Sequence, residues 1–384
     1  MKSFLFRLYL SWMKFLSHFT TMEDNNIVIL NGAGRSGSNG YIFYKYLQLN
    51  HPEYNVTLVE PWPSSHLDWK TWQKIGAAKY VVTTHQPFKA RKGQINMQMW
   101  HGVPLKRMGI MANNTKRRDN QRNANLWHKT ADIVTSSSDL YETLMSSCMA
   151  IETNKYKKLG FPRLDALKNP IIPKEKLLKD LFNTEDSKAQ LGIYMPTFRY
   201  ELEDKSIMKK IKQGNFFAFD DFDGKELNEE LKNRHQYLIV KLHPYEMRLF
   251  ENFTSTYSNI AFMNNDYLFD NNYDLYELLG NTDFLMTDFS SIYFDYLYLN
   301  KPIIFVTNFL KQYEKTRGLL MGPYEEITPG ICVNSQKEFM QNLDHLDNQQ
   351  IKNRRLYWLD LTNQVKGENY SEKVFNYMTK YLGD

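Results

Sequence analysis

The chain has 384 residues, 42% of them hydrophobic and 15% aromatic, with a formal net charge of +5. That is more apolar material than one compact core holds, and it fits two domains of ordinary size; the charge is too slight for a general nucleic-acid binder. Cys148 and Cys332 stand far apart and keep no metal-ligand spacing, which argues against a disulfide-framed secreted domain or a zinc module and suits a reducing, cytoplasmic setting.

Residues 1–22 read as an amphipathic leader. On a helical wheel Phe4, Leu5, Leu8, Trp12, Phe15, Leu16 and Phe19 fall within roughly 120° of one another, with Lys2, Arg7, Lys14 and His18 elsewhere. Such a helix lies in a membrane interface, rings inserted and cations toward anionic lipid, which predicts a peripheral protein on the cytoplasmic face of the cell membrane. The rival reading docks the same helix on the protein's own core. Arg7 and Lys14 interrupt the apolar stretch and no small-residue cleavage site follows, so the leader is neither a secretory signal nor a bilayer span.

Over 23–170, short apolar strands alternate with helical patterns: Ile27–Leu30, Val56–Val59, Tyr80–Thr83, Ile95–Trp100 and Ile133–Ser136. Pro162, Pro170 and Pro173 punctuate the chain, and a second series occupies 171–384, at Leu191–Met195, Tyr237–Leu242, Ile260–Met263, Phe284–Thr287 and Ile303–Val306. The pattern predicts an α/β protein of two doubly wound, Rossmann-like domains with a cleft between them. Asn215–Gly224, NFFAFDDFDG, is expected to be a surface loop whose aspartates lack calcium-loop spacing. There is no repeat of solenoid period.

Several segments carry candidate chemistry. GAGRSGSNG (Gly32–Gly40) follows a strand and opens a helix, but Gly32, Gly34 and Gly37 do not complete a dinucleotide fingerprint, and Glu60 is somewhat far for its acid; a flexible rim loop is expected. Lys89, Arg91, Lys92, Lys106, Arg107, Lys116, Arg117, Arg118 and Arg122 are opposed only by Asp119, which implies either an anionic partner or a solvated basic face. His101 and His243 each follow a strand and each precede a proline within three residues, so both are expected at the ligand-binding ends of their sheets. Imidazole suits proton transfer near neutral pH and donation to phosphate oxygen. Gly102 allows close backbone approach, while Lys106, Arg199 and Arg317 are candidate phosphate contacts. In DFLMTDFSSIYFDYLYLNKPIIFV (Asp283–Val306), a strand, a polar corner and a helix over Ile292–Leu299 gather Asp288, Ser290 and Ser291 at a helix start, where free N–H groups bind anions. The plain alternative is that Asp288 and Ser290 cap that helix. No polycarboxylate cage suggests a metal, and no cofactor is expected.

These strings together resemble the CDP-glycerol glycerophosphotransferase family of teichoic acid and capsule synthesis. The matches are MWHGVPLKRMG (99–109), KLGFPRLD (158–165), YMPTFR (194–199), KLHPYE (241–246), the run 274–305, and RGLLMGPYEEITPG (317–330), in family order. The resemblance implies a GT-B fold with an acceptor domain followed by a CDP-polyol-binding domain. It further implies transfer of polyol phosphate, most simply glycerol phosphate, to a hydroxyl of a lipid-linked saccharide or polyol-phosphate acceptor with loss of CMP. By the same resemblance His101 is the base, His243 stabilises the pyrophosphate, Ser290 and Ser291 belong to the phosphate loop shaped by Asp288, and Arg317 matches the family's Arg-Gly motif. Val103 stands where the family has Thr, and Phe289 where it has Tyr. Two rivals remain: a GT-B glycosyltransferase using a nucleotide sugar, and a non-catalytic, membrane-recruited binding module. The chain's length leans toward a primer-type or short-chain enzyme.

Overall fold

The computed structural model describes residues 2–64, 67–113, 115–250 and 257–380. Two compact units form, one from Met1–His101, Lys116–Ala166 and Asn363–Asp384, the other from Gly102–Thr115 and Leu167–Thr362.

In the first unit six strands, β1 (Glu23–Leu30), β2 (Asn55–Val59), β3 (Ala78–Thr83), β4 (Ile95–Gln98), β5 (Ile133–Ser136) and β6 (Tyr156–Lys158), pair in parallel in the order β2-β1-β3-β4-β5-β6. Register fixes the two faces: Ile27 pairs with Val56 and Tyr80, Val28 with Thr57 and Val81. Successive side chains point to opposite faces, so Ile27 and Ile29 enter one core and Val28 and Leu30 the other. Both faces are covered, as an all-parallel sheet requires.

The first of these cores holds Phe43 and Leu47 of α2 (Asn39–Asn50) and Val374, Phe375 and Met378 of the terminal helix Tyr370–Lys380. A linear division at 170/171 groups that helix with the second sheet, whereas its apolar stripe is buried in the first unit. The opposite face carries Trp72 and Ile75 of α3 (Trp69–Ala77) and Met13 of α1 (Lys2–Ser17). Tyr9 of α1 accepts a 2.8 Å bond from the Trp72 indole. Gly76 lets the turn after α1 come close, since a Cβ there would stand 2.6 Å from Thr20 Oγ1.

The leader therefore docks on its own unit through Met13, with Tyr9, Leu10 and Leu16 packed alongside. It also keeps Leu8, Trp12 and Phe15 exposed, followed by Phe19 in the turn beyond. The side chains of Lys2, Phe4, Leu5 and Arg7 lie outside the described residues. Among the described residues no helix is long and apolar enough to cross a membrane.

In the second unit β7 (Gln190–Met195), β8 (Gln236–Val240), β9 (Ile260–Phe262), β10 (Phe284–Thr287), β11 (Ile303–Val306) and β12 (Ile331–Val333) form a parallel sheet ordered β12-β11-β10-β7-β8-β9. Its strands are nearly continuous apolar runs because both faces are buried. The expected surface loop at Asn215–Gly224 is only half that. Phe216, Phe217, Ala218 and Phe219 are buried, because four apolar side chains have no reason to stay in water. Asp221 accepts from the backbone N–H groups of Gln336 and Lys337, and Asp223 caps the helix Gly224–Asn233.

Candidate active site

Strand order locates the ligand edge of each sheet. In the second unit the order reverses between β7 and β10, and ligands of such sheets bind beyond the carboxyl ends of the strands at that switch. There the Asp288 carboxylate accepts from Thr197 N at 2.7 Å and from Thr197 Oγ1 at 3.0 Å, tying the turn after β7 to the turn after β10. Asp288 is buried, and burial pushes its carboxyl up to about 6. Its carboxylate faces Thr197, so it shapes the corner and does not cap the helix that follows.

Ser290 and Ser291 are half-buried at this corner. Ser291 precedes the helix Ile292–Tyr296 and makes no side-chain capping bond, while Ser290 Oγ meets Ile292 N only at 3.5 Å. The helix has five residues before a 3-10 turn (Leu297–Leu299), so its dipole is small.

His243 follows β8 and stands as N-cap of the short helix Pro244–Met247. Its Nδ1 receives the Tyr245 N–H at 3.3 Å. A backbone N–H can only donate, so the neutral ring carries its proton on Nε2. The exposed ring lies 4.2 Å from that of Phe198, which follows β7. Beneath it Arg199 is fully buried. Its guanidinium binds Glu246 at 2.7 and 3.2 Å and also the Phe216 carbonyl, and Glu246 in turn accepts from Arg199 N at 2.7 Å. Arg199 is thus committed to a buried ion pair and holds the Thr197–Arg199 and His243–Glu246 corners together. Lys241, two residues before His243, is also buried; burial brings its ammonium down to about 8, and it donates to Asn265 Oδ1 at 2.7 Å.

The segments that carry Lys106 and Arg317 are paired across more than two hundred residues of sequence. The Lys106 backbone bridges Leu319 antiparallel, flanked by Arg107 N to Gly318 O at 3.0 Å and Leu320 N to Leu105 O at 2.9 Å. Gly318 has φ +71°, and a Cβ there would meet Arg107 Cδ at 2.9 Å, so only glycine allows this approach. Arg317 is half-buried at the end of the helix Leu310–Thr316, and Gly102 is buried.

His101 ends a different kind of corner in the first unit. Trp100 has φ +51°, costly for a bulky residue, and neutral amides hold it there. Gln98 Oε1 accepts from Trp100 N at 2.8 Å, and Asn39 Nδ2 donates to the Met99 and Trp100 carbonyls at 3.1 and 3.0 Å. His101 Nδ1 lies 3.0 Å from the Thr84 carbonyl. A carbonyl can only accept, so Nδ1 carries the proton and Nε2 keeps its lone pair, the form a general base needs. Its exposed ring is sandwiched by Trp100 at 4.0 Å and by His85 at 4.2 Å and 20°. Burial lowers the pKa of His85, which favours a neutral neighbour for His101.

Asn39, Thr84 and His85 escape a reading of the sequence because each acts through partners distant in sequence, and Gln98 because its bond to Trp100 N forms only in the left-handed turn there; the strand-end positions of Thr84 and His85 were the available signal. GRSGSNG is not a flexible rim. Arg35 Nε binds Glu60 at 3.0 Å and Asn31 Nδ2 binds Glu60 at 3.0 Å, while Ser38 caps α2. A cavity of about 820 Å³ in the second unit is lined by Lys210, Thr307, Asn308, Lys311 and Asn334 and by none of the candidate residues. Among the described residues no cluster of His, Cys, Asp and Glu has metal-ligand geometry.

Two parallel Rossmann-like sheets define a GT-B-like fold. Solved structures agree: the wall teichoic acid polymerase TagF matches with a TM-score of 0.74 at 21% identity, covering 100% of this chain and 94% of that chain. The chain belongs to the CDP-glycerol:poly(glycerophosphate) glycerophosphotransferase family, whose model matches residues 15–380. It is 28% identical over 298 residues to the teichoic acid glycerol-phosphate primase of Bacillus subtilis strain 168, covering 76% of this chain and 70% of the relative. It is 26% identical to that organism's teichoic acid poly(glycerol phosphate) polymerase, covering 80% of this chain and less than half, 42%, of the polymerase.

Proposed function

We propose that the chain transfers glycerol phosphate from CDP-glycerol to a hydroxyl of a teichoic acid acceptor and releases CMP. An acceptor oxygen attacks the β-phosphorus, His101 Nε2 takes its proton, and the bond from that phosphorus to the bridging oxygen breaks so that CMP departs with the α-phosphate. His243 Nε2–H donates to the phosphate oxygen that gains charge, aided by Ser290, Ser291, Lys106 and Arg317. Gly102 gives the backbone room, and Arg199 and Asp288 hold the corners that carry these groups. The first unit handles the acceptor and the second the CDP-polyol.

The observation that carries this reading is the opposite tautomer of the two histidines, one a lone pair and the other a proton, the pair of roles phosphoryl transfer to an alcohol requires. The acceptor is read as lipid-linked and the protein as peripheral at the cytoplasmic face of the membrane, supported by the exposed Leu8, Trp12 and Phe15 of α1. The test is incubation with CDP-glycerol and with CDP-ribitol separately, on a lipid-linked acceptor, with mass spectrometry of products. A mass gain of one glycerol phosphate with release of CMP is expected. Transfer of a bare sugar, or no CMP, overturns the proposal.

A further inference from the structure

His85, just beyond β3, has no part in the chemistry so far, yet the corner around His101 holds it in one place. Its ring stacks on the His101 ring at 4.2 Å and 20°, and Trp100 covers the opposite face at 4.0 Å. One amide joins the two covers: Gln98 Nε2 donates to the His85 carbonyl at 3.0 Å, and Gln98 Oε1 accepts from Trp100 N at 2.8 Å. Between them Thr84 presents its carbonyl to His101 Nδ1 at 3.0 Å. The loop after β1 is pressed against the edge of His85, since a Cβ on Gly32 would stand 2.9 Å from His85 Nδ1. Trp100 in turn meets the buried Trp127 edge-on at 5.4 Å and 67°. His101 is therefore confined on both faces by rings that are themselves held. Burial lowers the pKa of His85, so it stays uncharged near neutral pH and does not repel a charge on its neighbour.

We infer that His85 is a positioning residue for the base: its flat face keeps the His101 imidazole in the plane in which Nδ1 reaches the Thr84 carbonyl and Nε2 is left to take the acceptor proton. When that proton arrives, the imidazolium lies between two uncharged π faces, an arrangement that attracts the new charge. The stack is thereby stronger after proton transfer than before it, so it acts on the barrier and not on substrate binding. An aliphatic residue of like size fills the same space but offers no flat face, and the His101 ring is then free to turn. The inference rests on the transferase reading, because it assigns a part in that reaction's proton transfer.

The test is made on the full chain by steady-state release of CMP from CDP-glycerol with a lipid-linked acceptor. His85→Leu fills the site without a flat face and is expected to lower kcat about tenfold, with KM for CDP-glycerol within about twofold of the parent. His85→Phe restores the face and is expected to recover most of that loss. In a His101→Ala background His85→Leu is expected to change nothing further, since a residue acting through His101 has no effect without it. Imidazole-nitrogen NMR of protein labelled at histidine reads the ring directly: the parent and His85→Phe are expected to hold the His101 proton on Nδ1, and His85→Leu to show both tautomers. Should His85→Leu fail to fold, His85→Asn, polar and without a ring, takes its place in each comparison. Unchanged kcat in His85→Leu, no recovery in His85→Phe, or an equal loss in the His101→Ala background overturns the inference while CMP release by the parent protein stands. Absence of CMP release from the parent overturns the transferase reading, and the tautomer measurement still decides whether His85 holds the ring.

Discussion

The two histidine corners are held by different internal means, and their imidazoles differ in what Nδ1 meets. His101 sits on a corner held by the neutral amides of Asn39 and Gln98, with its Nδ1 proton spent on the Thr84 carbonyl. His243 sits on a corner held by the buried Arg199–Glu246 pair, with its Nδ1 lone pair spent on the Tyr245 N–H. The difference teaches how one side chain acquires two functions: the partner of Nδ1 dictates whether Nε2 presents a lone pair or a proton.

The comparison breaks most severely at the charged corner. Arg199→Met strands the Glu246 carboxylate in a dry interior and is expected to cost about 3–5 kcal/mol of stability, read by chemical denaturation; a loss under about 1 kcal/mol means the pair is not the brace described. His101→Ala is expected to lower turnover by roughly two or more orders of magnitude with CDP-glycerol affinity retained, since it removes a positioned base, and near-normal turnover rejects that role. Asn39→Ala leaves two buried carbonyls short of a donor and is expected to cost about 1–3 kcal/mol, with turnover falling further than stability explains as Trp100 relaxes.

Glutamine replacements sharpen the contrast. An amide donates a hydrogen bond but is no base, so His243→Gln is expected to recover about tenfold of the activity lost in His243→Ala, and His101→Gln to recover none over His101→Ala. Equal recovery at both positions would falsify the assignment of opposite tautomers. The last expectation is a trend with pH. Burial raises the Asp288 carboxyl from 3.8 to about 6, so the folded state holds its proton more tightly than the unfolded chain does. That contribution to stability is complete below pH 3.8 and is lost as pH rises through about 6. Asp288→Asn does not titrate, so its melting temperature relative to the parent is expected to climb between pH 4 and pH 7, and a falling difference contradicts the burial argument.

Much of the architecture was legible because parallel strands buried on both faces are written as short apolar runs. β5, β10 and β11 stand where Ile133–Ser136, Phe284–Thr287 and Ile303–Val306 placed them. β6 and β12 went unread: YKK and ICV are three residues long, too short to carry periodicity, and exist because a neighbouring edge was available to pair. The NFFAFDDFDG segment misled because its aspartates suggested solvent while its phenylalanines answered to the core.

The sequence by itself determined the two-sheet α/β plan, the family, and the strand-end placement of His101 and His243, because each is a local matter of residue type and spacing. Only tertiary structure decided that Arg199 is spent on Glu246, that Lys106 lies beside the Arg317 segment, that the last helix belongs to the first sheet, and which nitrogen of each imidazole is protonated. Except at His243, whose Nδ1 meets Tyr245 N two residues on, those outcomes depend on partners brought from tens to hundreds of residues away, and a donor or acceptor has no preference in sequence until folding supplies the atom opposite it.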